Sequence, residues 1–265
     1  MKRSFVKYSG CGNDFILMDD RDGSFPLEKA GLIRKICHRK EGIGADGVLL
    51  VQSSDQADVC MRIFNADGSE AEMCGNGLRC LAAWLFQNAM KPSKKMYSIQ
   101  VGDVLYETKE KRGEICIRMP KPKIPPVIQE LEWNGNLYRC HWMDSGVPHA
   151  VAMVENLETL PLHEVGPFVR WHPVWGKRGA NATFAKRLAP SQWKMRTFER
   201  GVEAETQACG TGGMAVACLA EQLFEEASPI SVEMASSETL LFSRCEDFYW
   251  MQGPARWVFE GTIVL

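Results

Sequence analysis

Two short stretches of this chain carry the residue types and spacing that can do chemistry. EMCGNGLRCLAAWLF runs from Glu72 to Phe86, and QACGTGGMAVACLAEQLF runs from Gln207 to Phe224. Each sets Cys-Gly-polar-Gly before an Ala- and Leu-rich run that ends in Leu-Phe, and Cys74 and Cys209 stand about half the chain apart. The apolar runs read as helices that begin at the cysteines. A helix start leaves N–H groups without an intrahelical carbonyl and carries the positive end of the dipole. Glycine keeps those N–H groups uncovered. A cysteine there can ionise below the ~8.5 of an ordinary thiol, and Gly75-Asn76-Gly77 and Gly210-Thr211-Gly212 each offer a cradle for an anion such as a carboxylate.

One thiolate and one thiol in matching settings can invert a stereocentre: the first removes a proton from carbon and the second returns one from the opposite side. The demand is the low acidity of an amino-acid α-carbon. Helix-end amides meet it by stabilising charge that builds on the carboxylate, each good donor contributing ~3–4 kcal/mol. Exclusion of water strengthens every such contact.

The elements that must position these cysteines follow from periodicity. SFVKYSG and DFILMDD read as a hairpin about GCGN, Pro26 to Arg39 as an amphipathic helix, and GVLLVQ and VCMRIF as strands. The Cys74 helix extends to about Asn88, and YSIQVGDVLYETKE and EICIRMP are further strands. PKPKIPP, residues 120–126, is stiffened by four prolines and reads as an interdomain linker. LYRCHWMD and HAVAMV then open a second half as strands. A helix near His163 to Trp171, the strands ANATFAKRL and KMRTFERG, the Cys209 helix and a strand-rich tail follow. Phe64-Asn65 and Phe198-Glu199 precede their cysteines at nearly equal distances, and EAE recurs in both approaches, a single repeat rather than an array. The expected fold is α+β: two pseudo-twofold halves, 1–120 with a C-terminal strand at about 254–265, and 127–253.

Length, composition and charge set outer limits. The 265 residues, 45% hydrophobic and 24% charged, suit a soluble globular chain. A net charge of −2 gives no electrostatic case for nucleic acid or an anionic membrane, and no apolar segment reaches the ~18 residues of a bilayer span. The basic start leads into no signal-peptide core, so a cytoplasmic location with reduced thiols is expected. Ten cysteines raise the question of zinc, but no Cys-x-x-Cys pair exists and the five histidines do not cluster with cysteines at ligand spacing, so no metal is expected. Cys37, Cys60, Cys80, Cys116, Cys140, Cys218 and Cys245 read as small buried hydrophobes, and Cys11 as loop or core.

At this point the chain resembles the diaminopimelate epimerase family, cofactor-independent two-cysteine amino-acid epimerases. The likeness runs over nearly its whole length: GNDF, GIGADG, RIFNADGSEAEMCGNGLRC, GVPH, GANATF, FERG, ACGTG and GPARWVFEG. It implies two similar domains, each a curled, mainly antiparallel sheet around a central helix, with the active site in the cleft, and no cofactor. Carried over by position, it implies Cys74 and Cys209 as the acid–base pair, tuned by His149 and Glu199. Gly75, Asn76, Gly210 and Thr211 hold the reacting carboxylate, and Asn13, Asn65, Asn181, Glu199 and Arg200 contact the far end of the substrate. It also makes a homodimer plausible.

Three positions depart from the family pattern. Val147 stands where Gly-Asn-Pro-His usually supplies an amide, Glu199 to Cys209 is one residue longer than usual, and Gly47 replaces a frequent glutamine. These touch selectivity rather than inversion. A lost hydrogen-bond partner for a buried polar group costs ~1–3 kcal/mol, so the expectation is surviving epimerase chemistry with relaxed distal selection that admits glutamate. The rival readings are a proline or hydroxyproline racemase, a phenazine-type isomerase, which lacks the cysteine pair, and a non-enzymatic dithiol redox sensor.

Overall fold

The computed structural model describes residues 2–29, 31–88, 94–122 and 127–265. Of the expected linker, residues 123–126 lie outside this description. The chain divides into two compact units, Met1–Arg118 with Gly253–Leu265, and Met119–Gln252.

The first unit contains β1 (Lys2–Gly10), β2 (Asn13–Asp19), α1 (Leu32–Cys37), β3 (Gly47–Gln52), β4 (Val59–Asn65), α2 (Gly75–Gln87), β5 (Met96–Val101), β6 (Val104–Lys111) and β7 (Glu114–Pro120). The second contains β8 (Ile128–Trp133), β9 (Asn136–Asp144), β10 (Pro148–Met153), α3 (Leu162–Arg170), β11 (Asn181–Ala189), β12 (Gln192–Glu199), β13 (Ala204–Thr206), α4 (Gly210–Phe224), β14 (Ile230–Glu233), β15 (Thr239–Arg244) and β16 (Phe248–Gly253). The last strand, β17 (Arg256–Val264), belongs to the first unit.

Strand pairing repeats from one unit to the other. In the first, β17, β1, β2, β3, β4, β5, β6 and β7 neighbour one another in that order. In the second the order is β8, β9, β10, β11, β12, β14, β15 and β16. Both run through the same succession of pairings: antiparallel twice, then parallel, antiparallel, parallel, and antiparallel twice more. The two parallel steps span the crossovers that hold the helices, as parallel neighbours require. The repeat read from the two cysteine motifs therefore extends to eight strands in each unit, with the short β13 as an addition to the second, and β17 comes from the far end of the chain to complete the first.

Each sheet encloses its long helix. α2 packs against β1, β2, β3, β4, β5 and β6, and α4 against β10, β11, β12, β14 and β15. Consecutive burial from Gly75 to Leu85 and from Gly212 to Ala220 leaves no polar face on either helix along those stretches, the pattern of a helix surrounded on all sides. Leu78, Leu81 and Leu85 are fully buried, each stabilising the core by about 1.5–3 kcal/mol.

The first expected helix is much shorter than Pro26 to Arg39. Gly31 adopts φ 72° as the N-cap of α1, which keeps only Leu32–Cys37 helical, and Pro26 closes a turn with Lys29 instead. β8, β13 and β14 are additional to the strands expected from sequence, and the tail resolves into three strands separated by turns.

Candidate active site

The Cys74 site is built on the first turn of α2. Cys74 is the N-cap, with φ −145° and ψ 109°, and its Sγ accepts the Gly77 N–H at 3.4 Å. A Cβ at Gly77 would come within 2.9 Å of Leu49 on β3, so the turn sits this deep only because that residue is glycine. Asn76 is buried, and its Nδ2 donates to Asn13 Oδ1 at 2.8 Å. Its amide direction is set by Arg79, a wholly buried side chain that donates to Asn76 Oδ1 at 2.8 Å, to Cys11 Sγ at 3.1 Å and to the Pro254 carbonyl at 3.3 Å. Asn13, at the head of β2, donates in turn to Asp46 Oδ2 at 3.4 Å.

Asp46 belongs to a charged cluster with Arg39, Asp14 and the buried Lys7. Burial opposes ionisation of Asp14, but hydrogen bonds from Arg39 and Lys7 outweigh it and hold the carboxyl at about 2. For Asp46 burial wins and its pKa is raised. Asn65 ends β4 with its Nδ2 on Ser69 Oγ at 3.0 Å.

The Cys209 site has the same backbone and different company. Cys209 caps α4 at φ −129° and ψ 102°, without a side-chain cap bond. Its Sγ lies 3.5 Å from Thr211 Oγ1, which lies 3.0 Å from His149 Nε2. His149 is completely buried, with Nδ1 3.0 Å from Thr183 Oγ1 and Nε2 3.3 Å from Asn181 Nδ2. Burial, with a smaller push from Arg200, depresses its pKa to about 3. A Cβ at Gly212 would lie 3.3 Å from His149 Cε1 and 3.1 Å from Met195 Cε, so glycine admits the imidazole against the first turn of α4.

Asn181 Oδ1 accepts the Arg200 N–H at 2.7 Å. The Arg200 guanidinium is half-buried and has no hydrogen-bond or ion-pair partner among the described residues, which leaves its fork for a carboxylate. Glu199, raised by burial, accepts from Thr206 Oγ1 at 2.8 Å.

The Glu199–Cys209 stretch forms a tight hairpin: Glu199 pairs with Ala204 across β12 and β13, and Glu203 in the turn takes φ 56°. The Glu203 carboxylate is gripped by Arg170 Nη2 at 3.0 Å and Trp171 Nε1 at 3.1 Å. Arg170, buried and stacked 3.9 Å over Trp171, also donates to the Arg178 carbonyl at 2.9 Å. One guanidinium thus ties the turn that carries Arg200 to the approach of β11, which carries Asn181.

The structure brings Asn13 to Asn76, and His149 to Asn181 and Thr211. His149 is linked to Cys209 through Thr211, and no hydrogen bond between Glu199 and Cys209 is seen. Arg79, Thr183 and Arg170 escaped sequence reasoning; the one signal was the helical i, i+3 spacing of Asn76 and Arg79. Among the remaining cysteines, burial raises Cys37 to about 11 and Cys140 to about 12, and also raises Cys60, Cys80, Cys116 and Cys218. Cys60 and Cys245 are only half-buried, against expectation; Cys60 sits between the buried Val59 and Met61 on the opposite face of β4.

Each half of this α+β chain wraps its sheet about one long central helix, and that two-unit fold is found in solved structures. Solved structures that share it include a hydroxyproline epimerase from Agrobacterium vitis, at TM-score 0.75 and 12% identity over 99% of this chain and 92% of that one. A PhzF-family phenazine biosynthesis protein from Bacillus anthracis matches at TM-score 0.74 and 17% identity over 100% of both chains. At such identities the likeness is one of fold alone. Sequence is more specific. The diaminopimelate epimerase family model matches residues 5–124 and 141–258. A diaminopimelate epimerase of Chlorobaculum tepidum is 40% identical over 97% of this chain and 100% of its own, and one of Methanocella arvoryzae is 38% identical over 99% and 97%. The chain belongs to the diaminopimelate epimerase family.

Proposed function

We propose that this enzyme interconverts LL- and meso-diaminopimelate by moving the α-proton between two thiols, a step in making lysine and peptidoglycan precursors in the cytoplasm. The observation that carries it is the pair of cysteine N-caps, Cys74 and Cys209, on matching central helices of a chain in this family. One sulfur, as thiolate, takes the α-proton; the other, as thiol, delivers a proton to the opposite face of the carbanion. The first-turn amides of Gly75 and Asn76, and of Gly210 and Thr211, hold the α-carboxylate and stabilise charge as it builds. Arg200 supplies a fork for the distal carboxylate, Glu199 an acceptor for the distal ammonium, and Asn13, Asn65 and Asn181 complete the polar contacts.

The distal selection is relaxed. Val147 offers only an apolar side chain beside His149, where an amide is usual, so a substrate without the distal ammonium, such as glutamate, is accepted. A proline-type racemase has no second charged end for Arg200 to meet, which disfavours that alternative. A homodimer is supported by β17, where Trp257, Val258, Phe259 and Val264 are exposed. No helix among the described residues is long and apolar enough to cross a membrane.

The test is conversion of LL-diaminopimelate to the meso isomer by the purified, reduced protein, followed by chiral chromatography. Equilibration of the two isomers is expected; an unchanged LL substrate contradicts the proposal.

A further inference from the structure

We propose that Ser145 is a positioning residue of the carboxylate cradle at the start of α4: its hydroxyl, bonded to the Thr211 carbonyl, fixes the first turn and strengthens the Gly212 N–H as a donor. This rests on the reading above, in which first-turn amides hold the α-carboxylate, and names a residue that stands behind them.

Ser145 lies in the turn between β9 and β10 and is almost wholly buried. Its Oγ lies 2.8 Å from the Thr211 carbonyl oxygen. A carbonyl cannot donate, so the hydroxyl spends its one hydrogen there. The turn is itself held in shape. The Ser145 N–H donates to the Val147 carbonyl at 3.2 Å, and Asp144 Oδ1 accepts the Gly146 N–H at 3.0 Å. At the start of β10, His149 Nε2 lies 3.0 Å from Thr211 Oγ1. One short segment therefore grips Thr211 twice, Ser145 by its main chain and His149 by its side chain.

The main-chain grip matters because of the peptide it touches. The first intrahelical bond of α4 runs from the Gly213 N–H to the Cys209 carbonyl at 2.9 Å. The N–H groups of Gly210, Thr211 and Gly212 precede that ladder and point out of the helix start. The Thr211 carbonyl and the Gly212 N–H belong to one peptide unit. A hydrogen bond accepted by the carbonyl draws electron density from the nitrogen and strengthens its N–H as a donor, by ~10–30% per bond. Charge builds on the substrate carboxylate only as the α-proton leaves, so a stronger donor there acts on the transition state more than on binding. Ser145 acts through the Thr211–Gly212 peptide rather than on the substrate itself.

Two measurements on the full chain test this. Thr211-Gly212 is the one Thr-Gly step in the chain, so carbonyl carbon-13 threonine combined with nitrogen-15 glycine singles out that peptide in NMR spectra. In Ser145→Ala the Thr211 carbonyl carbon and the Gly212 nitrogen should both move upfield. In Ser145→Cys, whose thiol is a weak donor, they should move less. Asp144→Ala loosens the same turn without touching Thr211 and should leave both signals in place. Signals that stay put in Ser145→Ala, or move as far in Asp144→Ala, overturn the proposal. Steady-state kinetics with LL-diaminopimelate should show kcat about three- to tenfold lower in Ser145→Ala, the worth of one neutral hydrogen bond, with KM little changed. A raised KM at unchanged kcat would mean lost ground-state binding instead, and would overturn it. The spectra need no turnover, so a wild-type protein inert toward diaminopimelate would defeat the epimerase reading while the spectra still judge the Ser145 bond.

Discussion

Arg79 holds Asn76 by a 2.8 Å hydrogen bond to its Oδ1, one helical turn along α2 and entirely out of solvent. That bond decides which end of the Asn76 amide faces Asn13, and so which groups line the first turn beside Cys74. Arg79→Met keeps the bulk and removes the donors, leaving the Asn76 and Pro254 oxygens short of partners. A buried polar group stripped of its partner costs about 1–3 kcal/mol. A loss of about 2–4 kcal/mol in urea unfolding is expected, with a lower midpoint.

Glu203 should act on substrate binding without touching substrate. Glu203→Ala leaves the buried Arg170 without its carboxylate and loosens the turn that carries Arg200. KM for diaminopimelate should rise about 3- to 10-fold with kcat little changed, on the scale of one lost charge-assisted hydrogen bond. Glu203→Gln, which keeps an acceptor for Trp171 Nε1, should lose less. Steady-state kinetics of both variants decide it; an unchanged KM in Glu203→Ala contradicts the positioning role.

Val147 sets the third expectation. Val147→Asn returns an amide and should sharpen the preference for diaminopimelate over glutamate in kcat/KM by roughly tenfold, the worth of about 1.4 kcal/mol. A wild-type preference already near a thousandfold would show instead that distal selection was never relaxed.

Acid stability should carry the signature of His149. Its ordinary value of 6.5 falls to about 3 in the folded protein, so between those limits the unfolded chain binds the extra proton. Stability therefore falls as pH drops from about 6.5 toward 3, by up to about 1.4 kcal/mol per unit for this group. His141, also lowered by burial, adds to the slope. The Asp14 contribution is present above 3.8 and is lost as pH falls to about 2. His149→Gln should flatten the upper window by one proton and leave the lower one unchanged, as read by denaturant unfolding at stepped pH.

Much of this architecture was legible because the motifs that matter are local. Glycines beside a cysteine, followed by an Ala- and Leu-rich run, placed one helix start at Cys74 to Gly77 and the other near Cys209, and the repeat of that pattern foretold a doubled fold. Failures came where context overrode pattern. Pro26 to Arg39 has helical periodicity, but Gly31 at positive φ interrupts it. β8 has few buried positions and β13 is three exposed or half-exposed residues, so neither carries a hydrophobic alternation to detect. At the site, His149 was nominated as a tuner of the thiols. Its link to Cys209 through the Thr211 hydroxyl depends on tertiary distances that no spacing in the sequence contains.

The most direct test of the central claim is proton NMR of α-hydrogen loss in D2O, with reduced protein and separate samples of LL- and meso-diaminopimelate. Wild-type protein should exchange the α-hydrogen of both isomers, while Cys74→Ala and Cys209→Ala should each abolish epimerisation. Retention of full epimerase activity by either variant, or no exchange in the wild type, would contradict inversion by this pair of thiols.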